Sequence, residues 1–156
     1  MDAPNSHLPF DILLVEDNPA DVEITLEAFR RSHKGNRVFV CRDGEETLDF
    51  LFQRGAYSKA GAAPCPDLIL LDLNLPKRSG VEVLEQVKSD ARMKEIPVMV
   101  LATSEREEDV SRCYKFGANS YLTKPVQFDD CLKLVEEIQQ YWLHTSKLPP
   151  KNKTVP

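Results

Sequence analysis

Three acidic residues and one lysine are of the types, and lie at the sequence positions, that could form a chemical site. Glu16 and Asp17 directly follow one apolar run, Asp72 directly follows another, and Lys124 stands before Pro125 late in the chain. Carboxylates that are packed together repel one another, and a hard divalent cation such as Mg²⁺ relieves that repulsion. An Asp carboxylate can then attack phosphorus to give an aspartyl-phosphate, with a lysine as counter-charge to the phosphoryl oxygens.

Apolar runs alternate with helical patterns along the chain, which predicts strands separated by helices. We expect strands at Phe10–Val15, Val38–Val40, Leu68–Leu71, Pro97–Leu101 and Asn119–Leu122. Strands separated by helices give a parallel sheet with helices on both faces. Five such units fit an α/β fold of the flavodoxin-like (βα)5 type, a doubly wound parallel sheet with strand order 2-1-3-4-5. The first and third strands are neighbours in that order, so the acids that follow them would converge.

Three details of the helices and loops are also predicted. The sequence from Ser104 to Glu107 has the form of a capping box and would open the fourth helix. The last helix would run from Phe128 to Leu143. The small, turn-rich residues of 54–64 indicate an extended surface loop.

Length and composition exclude several classes of protein. The chain has 156 residues, 42% of them hydrophobic, so we expect one domain over residues 10–144, with an N-terminal extension at 1–9, a mobile tail at 145–156 and no output domain. A net charge of −5 argues against a nucleic-acid partner. No apolar stretch is long enough for a membrane span, and the four cysteines lack the spacing of a zinc site or a disulfide framework. These features predict a cytoplasmic protein.

The motifs around the acids and the lysine resemble those of the receiver domains of two-component response regulators. They are Leu14-Val15-Glu16-Asp17-Asn18, then Leu70-Leu71-Asp72-Leu73-Asn74-Leu75-Pro76 with Gly80, and Leu122-Thr123-Lys124-Pro125. The resemblance covers residues 10–143. It implies that Asp72 is the phosphoacceptor and that Lys124 contacts the phosphoryl group. It also implies a Mg²⁺ site formed by Glu16, Asp17, Asp72 and the backbone carbonyl of Asn74.

Other segments are similar to a narrower subgroup, the single-domain regulators that serve bacterial and cyanobacterial phytochrome histidine kinases. They are the loop 54–66, the sequence 73–77 and the ending Tyr141-Trp142-Leu143. The resemblance implies a sensor histidine kinase as partner and light as the input. The last helix also carries more apolar residues than one core-facing side needs, and aromatic residues are enriched at interfaces, so we expect a homodimer.

The fourth strand departs from the receiver pattern. Receivers usually place Thr or Ser at its end, where the hydroxyl binds the phosphoryl group, but the matching residue here is Ala102. Because side chains alternate along a strand, Thr103 should point the other way, and we predict that this switch hydroxyl is lost. The alternative is that Thr103 reaches in through a local bulge. Tyr121 occupies the position of the family's aromatic switch, but it would also fit as a half-buried strand tyrosine.

Three functions remain to be compared. We favour a signalling protein that is not an enzyme beyond its own phosphorylation and dephosphorylation. A haloacid-dehalogenase-type phosphatase would need an acid two residues after the nucleophile, where this chain has Asn74, whose amide cannot serve as a general acid. The remaining alternative is a phosphorylation-independent interaction or dimerisation module on a receiver fold, which Ala102 favours.

Overall fold

The computed structural model describes residues 10–32 and 35–150, so the predicted N-terminal extension and the last six residues of the predicted tail lie outside it. Strands and helices alternate throughout this part of the chain. The strands are β1 (Phe10–Val15), β2 (Asn36–Cys41), β3 (Leu68–Asp72), β4 (Val98–Ala102) and β5 (Ser120–Thr123). The helices are α1 (Pro19–Ser32), α2 (Gly44–Phe52), α3 (Gly80–Ser89), α4 (Glu107–Lys115) and α5 (Phe128–Gln140).

The five strands form one sheet in the order β2-β1-β3-β4-β5, and all neighbouring pairs are parallel. The predicted strand order is therefore confirmed. In the register of β1 and β3, Val15 lies opposite Leu71. The next residues, Glu16 and Asp72, consequently leave adjacent strands at the same edge of the sheet.

The two central strands are buried on both faces, as their continuous apolar sequences predicted. Every residue of β1 and β3 is buried. Leu13 and Leu71 pack into a core under α2, α3 and α4, whereas Leu14 and Leu70 pack into a second core under α1 and α5. Burying each such side chain stabilises the fold by about 1.5–3 kcal/mol. The two cores hold these strands rigidly, and with them the acids at their ends.

The predicted capping box at the fourth helix is wrong. Helix α4 begins at Glu107, and its N-cap residue, Arg106, has no side-chain capping bond. The Ser104 hydroxyl lies outside the helix and donates to Asp109 Oδ2 at 2.5 Å. A capping box forms instead between Ser79 and Glu82, at the start of α3. The motif is local, and the path of the preceding loop decides whether its serine reaches the N-cap position.

Two other segments differ from their predicted form. Helix α5 ends at Gln140 and passes into a π-helical turn over Tyr141–Thr145, so its α-helical part is shorter than predicted. The loop after α2 contains a short 3₁₀ turn at Gly55–Tyr57. The ring of Tyr57 packs edge-on against Phe50 with centroids 5.1 Å apart. Through Tyr57 the loop therefore packs against the core, in addition to running over the surface.

Candidate functional site

Three acidic side chains meet at the carboxyl end of β1 and β3. Carboxylate oxygens of Glu16, Asp17 and Asp72 all lie within 4.8 Å of one another. Glu16 and Asp72 are only 3% and 4% exposed, whereas Asp17 is exposed to solvent. The cluster therefore has a buried floor of two carboxylates and one carboxylate at its mouth.

Lys124 brings the positive charge of the site from the end of β5. Its Nζ lies 2.8 Å from Glu16 Oε1 and 3.1 Å from Asp72 Oδ2. Its backbone N–H donates to the carbonyl oxygen of Ala102 at 2.9 Å, which fixes the start of the lysine loop against β4. The described chain has no cis peptide bond, so a trans Lys124–Pro125 bond delivers the ammonium group to the acids.

The backbone after β3 holds the Asp72 carboxylate from the other side. The Asn74 N–H donates to Asp72 Oδ1 at 3.1 Å. Gly80 closes this loop, because its N–H donates to the Leu73 carbonyl at 2.9 Å. A Cβ atom at Gly80 would lie only 2.5 Å from the Asp72 carbonyl oxygen, so no larger residue fits without moving the loop.

The turn between β1 and α1 orients Glu16. The Asn18 N–H donates to Glu16 Oε2 at 3.2 Å. The side-chain oxygen of Asn18 accepts from the N–H groups of Ala20 and Asp21 at 2.9 and 3.2 Å, and so caps α1. One residue thereby connects the helix start to the buried acid.

Burial and neighbouring charges shift the pKa values of the buried groups. Burial raises the pKa of Glu16 to about 7, and Asp72 adds to this rise while Lys124 opposes it. Burial alone would lower the pKa of Lys124, but its bonds to Glu16, Asp21 and Asp72 raise it above the ordinary lysine value. The lysine is therefore charged at neutral pH, and the carboxylates around it outnumber it.

The donor set of the cluster suits a hard divalent cation. Its candidate ligands are carboxylate oxygens, and neither histidine nor cysteine belongs to the group. Mg²⁺ prefers oxygen ligands and usually keeps several of its waters. The solvent exposure of the cluster at Asp17 leaves room for those waters. A cation would also relieve the repulsion from Asp72, which adds to the rise that burial causes in the pKa of Glu16.

Ala102, at the end of β4, offers the site no hydrogen-bonding side chain. Ala102 is 2% exposed, and its methyl group faces the core under α2, α3 and α4. The next residue, Thr103, is exposed, as the alternation of side chains along a strand requires. β4 ends at Ala102 and pairs in register with β5 up to Thr123, without a bulge that would turn Thr103 inward.

Tyr121 lies on β5 and packs at the edge of the same core. Its hydroxyl donates to the backbone carbonyl of Ser104 at 2.8 Å. Burial raises the pKa of this phenol, and the bond to Ser104 partly opposes the rise. Tyr121 therefore connects the edge strand directly to the loop between β4 and α4.

The structure adds one acid that the sequence reasoning did not select. Asp21, in the first turn of α1, places Oδ2 3.1 Å from Lys124 Nζ. In the sequence it stands three residues after Asn18, where an acidic residue is typical of the first turn of a helix. Its partner is far away in the sequence, so only the packing of α1 against the β5–α5 loop brings the two together.

Comparison with known proteins agrees with this geometry. The chain matches the profile of the response regulator receiver domain over residues 12–136. The response regulator Rcp1 of Synechocystis sp. is 44% identical over 144 residues, which are 92% of this chain and 96% of Rcp1. The probable methanogenesis regulatory protein FilR2 of Methanothrix harundinacea is 44% identical over 141 residues, 90% of this chain and 88% of FilR2.

Solved structures resemble the fold over nearly its full extent. The phosphorylated cyanobacterial phytochrome response regulator RcpA matches with a TM-score of 0.82 and 44% identity, over 90% of this chain and 98% of RcpA. The Mn²⁺-bound form of Rcp1 has the same score and identity, over 91% of this chain and 100% of the Rcp1 chain. With its strand order and the match over residues 12–136, the chain belongs to the response regulator receiver domain family.

Proposed function

We propose that Asp72 accepts a phosphoryl group from a phosphohistidine of a sensor histidine kinase, in a reaction that requires Mg²⁺. The observation that carries this proposal is the setting of the Asp72 carboxylate. Its Oδ1 accepts from the Asn74 N–H at 3.1 Å, and its Oδ2 lies 3.1 Å from Lys124 Nζ. A carboxylate held from two sides beside a partly buried ammonium group is poised for attack on phosphorus.

The transfer moves one phosphoryl group between two side chains. An oxygen of Asp72 forms the new P–O bond as the P–N bond to the kinase histidine breaks. The imidazole nitrogen keeps the electron pair of the broken bond and takes a proton from solvent. The protein ends as an acyl phosphate, and hydrolysis by water returns Asp72 and inorganic phosphate.

Each neighbouring residue has a distinct role in this step. When bound, Mg²⁺ neutralises charge on the phosphoryl oxygens. Glu16, Asp17 and Asp72 would hold it, and the backbone carbonyl of Asn74 is a further proposed ligand. Lys124 would donate to a phosphoryl oxygen as a point charge. The protein is thus a signalling phosphoacceptor that acts only on itself, rather than an enzyme that turns over a substrate.

A phytochrome is the proposed kinase partner. The similarity to RcpA supports a light input, since RcpA is a cyanobacterial phytochrome response regulator. FilR2 is equally similar and is a probable methanogenesis regulator, so the kinase has to be identified by phosphotransfer.

Among the described residues, no helix is long and apolar enough to cross a bilayer. We place the protein in the cytoplasm, without a nucleic-acid or membrane partner.

The end of α5 is the proposed output surface, where a second copy would bind. Tyr141 is 48% exposed, and its ring packs edge-on against Trp142 with centroids 5.0 Å apart. Both rings border a cavity of about 330 Å³ beside β5. Exposed aromatic residues beside a concave surface suit an interface. Sedimentation of the wild type and Tyr141→Ala, with and without phosphorylation, tests this part, and a wild type that is monomeric in both states contradicts it.

The alternative is a receiver fold that binds partners without phosphorylation. Ala102 favours it, because a methyl group cannot donate the hydrogen bond that would report a phosphoryl group to β4. The pair of the buried Asp72 and the partly buried Lys124 favours phosphorylation, because a structural pair alone does not need the neighbouring acids, which raise the cost of burial.

Measurement of the intact protein mass distinguishes the phosphoacceptor from the interaction module. The wild type and Asp72→Asn are incubated with acetyl phosphate, once with Mg²⁺ and once with EDTA. We expect a Mg²⁺-dependent gain of one phosphoryl group in the wild type and none in the variant. A folded wild type that gains nothing under either condition would contradict the phosphoacceptor function and leave the interaction module.

A further inference from the structure

Lys124 shares its ammonium group among three carboxylates that come from three elements. Its Nζ lies 2.8 Å from Glu16 at the end of β1, 3.1 Å from Asp72 at the end of β3 and 3.1 Å from Asp21 in α1. An ammonium group has three N–H donors, so each carboxylate can accept one of them. In this state the lysine has no donor left for a phosphoryl oxygen.

Two of the three partners also belong to the candidate metal cluster. Glu16 and Asp72 lie in that group with Asp17, whereas Asp21 does not. Glu16 and Asp72 would hold a divalent cation with Asp17, and their oxygens would then interact less strongly with Lys124. Asp21 then remains as the carboxylate that anchors the ammonium group without serving the metal.

The position of Asp21 is itself well fixed. Its N–H donates to the side chain of Asn18 at 3.2 Å, and its carbonyl accepts from the Thr25 hydroxyl at 2.8 Å. The start of a helix also stabilises a negative charge in its first turn. Lysine has a long, flexible stem, so a rigid anchor at its tip restricts where the ammonium group can lie.

We infer that Asp21 is a positioning residue, which holds Lys124 in reach of the phosphoryl group once Glu16 and Asp72 have turned to the metal. This inference rests on the proposed phosphoacceptor function and names a residue outside the metal cluster as a determinant of it. Asp21 touches neither the metal ligands' oxygens nor the phosphoryl group in this assignment. It acts through the lysine alone.

Beryllofluoride, a mimic of the phosphoryl group on aspartate, tests the inference at saturating Mg²⁺. Its affinity for the full chain is measured by ¹⁹F NMR titration for the wild type, Asp21→Asn, Asp21→Glu and Glu23→Gln. Glu23 is exposed on the same helix, so Glu23→Gln removes the same charge without touching the lysine. Thermal melting confirms that each variant is folded.

We expect Asp21→Asn to weaken beryllofluoride binding by about two- to fivefold, because a half-exposed ion pair is a modest anchor. Asp21→Glu should recover most of the loss, and Glu23→Gln should bind like the wild type. Side-chain NMR of the Lys124 ε-methylene in the loaded protein should show greater motion in Asp21→Asn.

Three results would overturn the inference. Equal affinity in Asp21→Asn and the wild type would show that Lys124 needs no such anchor. Tighter binding in Asp21→Asn would show that Asp21 competes with the phosphoryl group instead. An equal loss in Glu23→Gln would assign the effect to net charge. A wild type that binds Mg²⁺ but no beryllofluoride would instead contradict the proposed function itself.

Discussion

Two sets of groups at the carboxyl edge of the sheet, which we call the capture half and the response half, carry very different side chains. At β1, β3 and β5, two buried carboxylates, one exposed carboxylate and a lysine form a dense polar cluster. On β4, which lies between β3 and β5, a buried methyl group stands where receivers usually place a hydroxyl. The capture half holds the groups proposed to accept a phosphoryl group, whereas the response half lacks a side-chain hydroxyl that could bond to it.

This difference predicts that capture and response are physically separable in this fold. The groups proposed to capture the phosphoryl group are anchored by the two buried central strands. The response side depends on a loop that is connected to β5 by the bond from Tyr121 to the Ser104 carbonyl. Changes in either half should therefore have distinct signatures.

The largest expected effect concerns the backbone beneath the capture half. Gly80→Ala creates a steric clash, since the added Cβ would lie only 2.5 Å from the Asp72 carbonyl oxygen. We expect a loss of about 3 kcal/mol in the free energy of unfolding, measured by urea denaturation. The control Ser79→Ala, which removes the neighbouring helix cap, should cost about 1 kcal/mol. Equal losses would mean that the loop can relax around the methyl group.

The second prediction concerns pH in the metal-free protein. The pKa of Glu16 rises from 4.5 to about 7 on folding, so the folded state holds this proton more tightly than the unfolded state. Protonated Glu16 therefore contributes to the free energy of unfolding. This contribution is complete below the ordinary glutamate pKa of 4.5 and is lost as the pH rises through about 7. We expect the free energy of unfolding in EDTA to fall by about 2 kcal/mol between about pH 5 and pH 8.

Glu16→Gln should flatten this pH profile, whereas Glu23→Gln on the exposed face of α1 should keep it. A wild-type profile that rises with pH over the same range would show that Lys124 outweighs burial at Glu16. The capture half would then be a balanced ion pair rather than a cluster that favours a cation.

The third prediction removes the difference between the halves. Ala102→Thr introduces a hydroxyl at the position where receivers usually carry one, and Ala102→Val has the same shape without it. We expect Ala102→Thr to bind beryllofluoride about tenfold more tightly than Ala102→Val, because a hydrogen bond to a charged group stabilises the complex by about 1.5–3 kcal/mol. Equal affinities would mean that the missing hydroxyl is not what limits the response half.

The smallest effect is expected at Tyr121. Tyr121→Phe removes the bond to the Ser104 carbonyl and should cost about 1 kcal/mol of unfolding free energy, while the yield of phosphorylation stays unchanged. Tyr114→Phe, at a 50% exposed tyrosine of α4, is the matched control and should change stability by less than about 0.5 kcal/mol. A lower phosphorylation yield in Tyr121→Phe would show that the two halves are not separable.

The parts of the molecule that could be predicted from sequence are those in which a local pattern has one physical solution. Continuous apolar runs before Glu16 and Asp72 require strands buried on both faces, and both strands are buried throughout. The alternation of side chains along β4 likewise separates Ala102 from Thr103. By contrast, the capping motif at Ser104 also has a non-helical solution, in which its hydroxyl binds Asp109.

By itself, the sequence determined the alternation of buried strands with helices and the acids at the strand ends, because continuous apolar runs require burial on both faces. The order 2-1-3-4-5 was one doubly wound arrangement that five such units fit, and the strand pairing confirmed it. Only the tertiary structure decided how Lys124 divides its hydrogen bonds. The bond to Asp21 joins residues from opposite ends of the chain, and it depends on how α1 packs against the loop after β5. Sequence patterns report which face of an element is buried, but the distance between two charged side chains depends on the packing of every element between them.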